Sequence, residues 1–167
     1  MLLERPRSGY DMRRFMALST DHFWHESDAS IYPMLKLLQK EKKIMPHREY
    51  RGKRGRTIFE VTPAGKQELL DWLMIPAAPE KRRSEQLLKL FFGAHVSRED
   101  MLMHLRHQLE DVKASLARYD HIEYQALGGV PADYPHRPFW LLTLAYGKKI
   151  DQAEKRWLEE SIRILEE

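Results

Sequence analysis

The sequence predicts a mainly α-helical protein carrying one small β-hairpin, and three observations predict it. Apolar residues recur at steps of three and four along most of the chain, the period of amphipathic helices. One stretch, "IMPHREYRGKRGRTIFEVT", departs from that period: two β-prone runs, 46–50 and 56–62, flank the basic "RGKRG". The third is "IPAAPEKRRS", where Pro76, Pro79 and a charge run break all periodicity. It divides the 167 residues into a first domain at 1–75, a linker at 76–84 and a second domain at 85–167.

Each element has its own signals. In "RSGYDMRRFMALS", Ser8 can cap a helix whose apolar stripe is Met12, Phe15 and Met16. "TDHFWHESD" is a connection, with Phe23 and Trp24 expected to pack inward. The helix in "SDASIYPMLKLLQKEKKI" has either Ser27 or Ser30 as its N-cap. Pro33 favours Ser30, because a proline beyond the first turn removes a hydrogen bond. Ile31, Leu35 and Leu38 share one side of this helix. Tyr32, Lys36, Gln39, Lys40 and Lys43 share the other. In the hairpin, Thr57, Phe59 and Val61 alternate with Ile58 and Glu60, and Gly52 and Gly55 supply the turn. Thr62 and Pro63 then open a helix that should bury Leu69, Leu70 and Leu73.

The second domain reads as helices alone. "SEQLLKLFFGAH" is a short apolar helix. The next opens at Ser97 with acidic residues in its first turn. Leu102, Leu105, Leu109, Val112, Leu116 and Tyr119 follow at alternating steps of three and four, a heptad seam. After the loop "GGVPADYPHRP", a last helix from about Phe139 carries Phe139, Leu142, Tyr146, Ile150, Ala153 and Trp157 as its stripe.

Composition sets further bounds. Hydrophobic residues make up 43% of the chain, enough for a core. The absence of cysteine removes disulfides, thiolate metal sites and cysteine nucleophiles. No run is long and apolar enough to span a bilayer and no signal-peptide core opens the chain, so no membrane partner and a cytoplasmic location are expected. Residues 1–83 hold 17 Lys and Arg against 11 Asp and Glu, a net of +6; residues 84–167 carry a net of −3. A basic front half suits a polyanionic partner. Nothing singles out a catalytic pair of carboxylates, and "GKRG" lacks the spacing of a phosphate-binding loop. The pairs His22 with His25 and His104 with His107 lack a third ligand at metal spacing. Neither an enzyme, a cofactor nor a metal is expected.

Helix, helix, basic hairpin, helix is most of a winged helix-turn-helix, a module that sets one helix in the major groove and the hairpin against phosphates. The candidates for contact with double-stranded DNA are therefore Ser30, Tyr32, Lys36, Gln39, Lys40 and Lys43 on the helix. On the wing they are Arg51, Lys53, Arg54 and Arg56. The plainer reading of such lysines and arginines is a solvated helix face and a basic loop with no partner. For the heptad seam two readings stand together: a dimer interface, or a helical hairpin in which the last two helices bury each other. Trp140, Tyr146 and Trp157 are either a pocket for a flat aromatic ligand or ordinary core and seam.

The strings "PRSGYDM", "SDASIYPMLKLLQKEKKI" and "GRTIFEVTPAGKQELLDWL" closely resemble the PadR-like transcriptional regulators. Ser-Gly-Tyr-Asp at 8–11, Ile-Tyr-Pro at 31–33 and Thr-Pro-Ala-Gly at 62–65 fall in the family's order. "FWLLTLAYGKKIDQAEKRWLEESIRILE" is similar to the C-terminal dimerisation region of the larger, virulence-activator type. The resemblance implies an N-terminal winged helix-turn-helix on promoter DNA and a C-terminal antiparallel helical dimerisation domain. The homodimer would use Leu102, Leu105, Leu109, Val112, Leu116, Tyr119, Leu142, Tyr146 and Trp157. It also implies a small aromatic effector as a possible partner. Family members usually carry a full helix before the Ser-Gly-Tyr-Asp turn, where this chain has only "MLLERPR". The first helix is thus expected to be truncated and part of the core uncovered, unless another segment or subunit fills it. The alternative function is a winged-helix protein-docking module that no longer binds DNA specifically.

Overall fold

The computed structural model describes residues 1–20, 23–24, 27–51, 54–79, 83–123 and 129–167, and among these the side chains of all but residues 28, 50, 51 and 54. The chain forms two compact units, Met1–Pro79 and Glu80–Glu167.

In the first unit α1 spans Gly9–Ser19 and α2 spans Asp28–Lys40. Strands β1, Ile44–Arg51, and β2, Arg54–Val61, pair antiparallel, and α3 is Pro63–Leu73. Ser8 closes a capping box: its hydroxyl accepts from the Asp11 N–H at 3.1 Å while Asp11 Oδ2 accepts from the Ser8 N–H at 3.3 Å. Met12, Leu35 and Ile44 form the buried centre, with Leu2, Ile31, Leu38 and Phe59 packed around it.

Several expectations need correction. Ser27, not Ser30, is the N-cap of α2, so Pro33 lies in the sixth helical position. Only the Ala29 carbonyl loses its helical donor there, near an end where backbone groups are already partly unsatisfied. The Ser30 hydroxyl instead donates to the Ser27 carbonyl at 2.7 Å and tightens the first turn. Phe23 and Trp24 are exposed rather than inward. Their backbone N–H groups both bond the Thr20 carbonyl, which turns the chain at the end of α1 while the core beneath is filled by Met12 and Leu35. Gly55 belongs to β2, opposite Tyr50, and not to the turn. Gly52 lies outside the described residues.

The end of α2 is a Schellman turn. The Lys42 N–H bonds the Gln39 carbonyl at 3.0 Å and the Lys43 N–H bonds the Leu38 carbonyl at 2.9 Å. Lys42 holds the left-handed position with φ of 58°, where glycine is usual. Thr62 caps α3 by accepting from the Gly65 N–H at 3.1 Å. The same hydroxyl donates toward the carbonyls of Lys42 and Lys43, locking α3 onto this turn. A Cβ at Gly65 would lie 2.2 Å from the Lys43 carbonyl oxygen, so α3 can approach only through glycine.

Leu69 is half-buried, but Leu70 and Leu73 are exposed. The reason is geometric: α3 rests on the turn through Gly65, and an open apolar cleft, lined also by Met1, Leu2, Leu3 and Leu38, separates Leu69 and Trp72 from the rest of the unit. Residues 1–7 contain no helix. Arg7 pairs with Phe59 in an isolated antiparallel bridge beside the two-stranded sheet, its N–H and carbonyl both bonded to Phe59 at 3.1 and 2.8 Å. Apolar clefts of about 320 and 330 Å³ flank Met1 and Leu2.

The second unit holds α4, Glu85–Phe91, a 3₁₀ turn at Gly93–His95, α5, Arg98–Ile122, and α6, Arg137–Glu166. Ser97 caps α5, its hydroxyl accepting from the Asp100 N–H at 3.0 Å. The last helix starts two residues before Phe139, with Pro138 in its first turn, where a missing N–H is harmless. Helices α5 and α6 pack antiparallel. Arg106 meets Glu166 at 2.6 Å near one end, and Lys148 meets Asp120 and Glu123 at 2.9 and 2.7 Å near the other. Such exposed pairs contribute little stability. The adhesion is apolar: Leu105 and Leu158, 1% and 0% exposed, sit at the centre with Val112. Tyr119 and Leu144 form the second cluster. Gly147 makes that approach possible, since a Cβ there would lie 2.5 Å from the Tyr119 hydroxyl.

Candidate nucleic-acid interface

The outer face of α2 follows from its inner one. Burying Leu35 and packing Ile31 and Leu38 turns Tyr32, Lys36, Gln39 and Lys40 to solvent. Neither Lys36 nor Lys40 has an acidic partner among the described residues. Tyr32 is anchored at its ring: Gly9, at the start of α1, makes room for it, a Cβ there coming within 2.9 Å of Tyr32 Cε1. Ser30 is half-buried.

Lys43 stands apart from this group. It follows the helix, and its Nζ bonds Glu41 at 2.6 Å and Glu68 at 2.7 Å. Donating hydrogen bonds to those carboxylates raises its pKa above the ordinary lysine value. Its role in the structure is to tie the end of α2 to α3.

The wing is built by a regular ladder from Ile44 opposite Val61 to Arg51 opposite Arg54. Lys53 lies outside the described residues, as do the side chains of Arg51 and Arg54. Arg56 is described and is engaged: Nε donates to Glu49 at 2.6 Å and Nη1 to Asp11 at 3.0 Å. The Glu49 hydrogen bond is the main cause of its raised pKa. On the other side of the pair, the Ser8 hydroxyl first, and Arg56 with Arg7 after it, hold the Asp11 carboxyl below its ordinary range. Arg56 therefore braces the wing against α1.

Three exposed residues of the first unit with aromatic or basic side chains were not among the candidates read from the sequence. Tyr10 and Arg13 lie together on α1, with the Arg13 guanidinium 5.8 Å from the Tyr10 ring centroid, and Arg48 is exposed on β1. The signal for the first two was the "YDMRR" run, whose basic residues fall outside the Met12 stripe.

The expected interface of the second unit is redistributed. Leu102, Leu105, Val112 and Tyr119 are buried within a single chain, and Leu109, Leu116 and Trp157 pack against the same core, so the heptad seam closes the α5–α6 hairpin instead of facing outward. The physical reason is that α6 offers a second apolar side, Leu141, Leu144, Leu158, Ile162 and Leu165, to receive it. Leu142 and Tyr146 remain outside, 66% and 55% exposed, in line with exposed Phe139 and Ile150. Trp140 and Trp157 belong to different core clusters. At about 1.5 Å per residue they stand roughly 25 Å apart along α6, so within one subunit Trp140, Tyr146 and Trp157 do not line one pocket. Trp140 instead stacks with His136 at 6.2 Å and meets Tyr134 at 5.5 Å.

Among the described residues no group of three or more His, Asp or Glu side chains is placed to hold a metal ion; His22 and His25 lie outside them. No helix among them is long and apolar enough to cross a membrane.

Comparison with known proteins adds the following. Residues 1–71 match the model of the transcriptional regulator PadR-like family, and residues 82–166 match that of the virulence activator alpha C-terminal region. The negative transcriptional regulator PadR of Bacillus subtilis (strain 168) is 33% identical over 112 residues, a match covering 66% of this chain and 62% of that relative's length. Bacillus subtilis PadR in complex with operator DNA superposes with a TM-score of 0.82 at 26% identity, over 98% of this chain and 94% of that one. The same regulator in complex with p-coumaric acid gives 0.77 at 28% identity, over 99% and 94%. The Vibrio cholerae virulence activator AphA shares the fold, with a TM-score of 0.77 at 23% identity over 99% and 93%.

Proposed function

The chain belongs to the PadR-like family of transcriptional regulators, with a second unit of the virulence-activator type, and from this we propose that it is a homodimeric regulator of promoter DNA. The observation that carries the reading is the outer face of α2. Two lysines without acidic partners among the described residues, a glutamine and an anchored tyrosine share one helix side in a winged fold. Tyr32, Lys36, Gln39 and Lys40 enter the major groove, with Ser30 at the helix start. Arg51, Lys53 and Arg54 meet phosphates from the wing, giving affinity and salt dependence but little sequence choice. Arg56 and Lys43 act indirectly, by setting the wing and the end of α2.

Residues 1–75 are the DNA-binding domain, joined through 76–84 to a dimerisation domain at 85–167. The stripe Phe139, Leu142, Tyr146 and Ile150 supports that role, because an apolar surface of this length is costly in a monomer. A two-fold dimer calls for a pseudo-palindromic operator with half-sites about one helical turn, roughly 34–36 Å, or a multiple apart. A small aromatic effector is a second reading, favoured by the relative's complex with p-coumaric acid. It would act by changing the spacing of the two recognition helices.

The test is fluorescence anisotropy of a labelled fragment from upstream of the protein's own coding sequence, titrated at several salt concentrations beside an unrelated duplex. Tight, salt-sensitive binding that prefers the upstream fragment is expected. Equal weak binding to both would overturn the regulator reading.

A further inference from the structure

Away from the α2 face, the first unit holds a polar cavity of about 420 Å³ lined by Arg5, Arg7, Asp11, Arg14, Phe15 and Arg56. Three walls meet there. Pairing of Arg7 with Phe59 fixes the chain at 5–7 along β2. Helix α1 contributes positions 11, 14 and 15, which share a side because residues three and four apart are neighbours. Tyr10 and Arg13 do not line it. Strand β2 contributes Arg56.

The charge here is one-sided. Four guanidinium groups face one carboxylate, and that carboxylate is already taken. Asp11 Oδ2 accepts from the Ser8 N–H at 3.3 Å, the Ser8 hydroxyl at 2.8 Å and Arg56 Nη1 at 3.0 Å. Arg56 has Glu49 and Arg7 has Glu4 as outer partners. Arg5 and Arg14, both exposed, have no acidic partner among the described residues.

Arg7 supplies an independent observation. Its side chain is only 9% exposed, and its guanidinium lies 4.6 Å from the centroid of the Phe15 ring. Its Nε is buried and finds no hydrogen-bond acceptor. A buried N–H without an acceptor is unfavourable, and guanidinium groups match the oxygens of phosphate and carboxylate in fork geometry.

We propose that this cavity is an oxyanion site that takes a phosphate group, carried either by a free phosphate or phosphate ester, or by the DNA backbone. Arg5 and Arg14 hold it from the solvent side, and Arg7 from the Phe15 side. The DNA source rests on the function proposed above; the free source does not.

The experiment uses the full-length chain and inorganic phosphate as the probe. The Nε–Hε resonances of the arginines are followed by NMR against chloride at equal ionic strength, for the wild type and for Arg5→Ala/Arg14→Ala. DNA affinity is measured across salt for both proteins. If the source is free phosphate, Arg7 shifts saturably with phosphate, the double variant loses the response, and the salt slope of DNA binding stays unchanged. If the source is DNA, phosphate shifts are weak and the variant's salt slope falls by about one to two, at about 0.9 per phosphate neutralised. Phosphate no better than chloride, with an unchanged salt slope, overturns the proposal. Failure of the regulator reading shows separately, as wild-type protein that binds no DNA.

Discussion

At the scale of single residues, close approaches are held by residues that admit little exchange. Gly65 is the sharpest case: its missing side chain leaves room for the Lys43 carbonyl. Gly65→Ala is expected to destabilise the first unit by about 1–3 kcal/mol or more, because backbone cannot yield as a side chain can; urea denaturation checks it. Lys42 is the converse, a lysine where the left-handed turn suits glycine. A non-glycine residue there costs about 1–2 kcal/mol. Lys42→Gly is therefore expected to raise the melting temperature slightly, part of the gain being offset by the freer unfolded chain. Asp11 adds a pH dependence whose sign is set by its lowered pKa. Its contribution is fully present above the ordinary carboxylate range and is lost as pH falls through the lowered folded value. Asp11→Asn should flatten the acid limb of a stability-against-pH curve.

At the scale of elements, the proposed function assigns specificity to α2 and affinity to the wing. Lys36→Ala/Lys40→Ala should weaken DNA binding and reduce its salt slope by about 0.9 for each phosphate that is no longer neutralised. Arg54→Ala/Arg56→Ala should weaken binding to all sequences and also flatten the slope. An unchanged slope would remove the wing from the mechanism. Arg56 contributes indirectly here, because its removal breaks the tie between Glu49 of the wing and Asp11 of α1. In the second unit the corresponding element is the α5–α6 pair, which meets at Leu105, Val112 and Leu158. Leu158→Ala should cost about 2–5 kcal/mol, as for other large-to-small changes in a filled core.

At the scale of the whole molecule, the question is which apolar surface closes the chain on itself and which is left for the proposed partner copy. The α5 seam closes the subunit, leaving the Phe139, Leu142, Tyr146 and Ile150 stripe for the proposed partner copy. Leu142→Glu/Tyr146→Glu is expected to give folded monomers in sedimentation velocity while helicity is retained. A persistent dimer would put the interface elsewhere. Dissociation should also lower operator affinity, since a monomer engages a single half-site.

Much of this was legible in the residues. Caps at Ser8, Thr62 and Ser97 carry their signal locally, as a small polar side chain before an apolar period. The hairpin was visible because its period of two differs from everything around it. The family, too, could be read from motifs spread along the chain. Tertiary structure alone decided which partners the charged and apolar faces meet. Periodicity identifies a stripe but not what covers it, so the α5 seam was equally consistent with a partner inside or outside the chain. Charge identifies a cation but not its counterion, so Arg56 and Lys43 looked free until Asp11, Glu49, Glu41 and Glu68 were brought beside them. These partnerships join residues distant in sequence, and only the folded chain sets such distances.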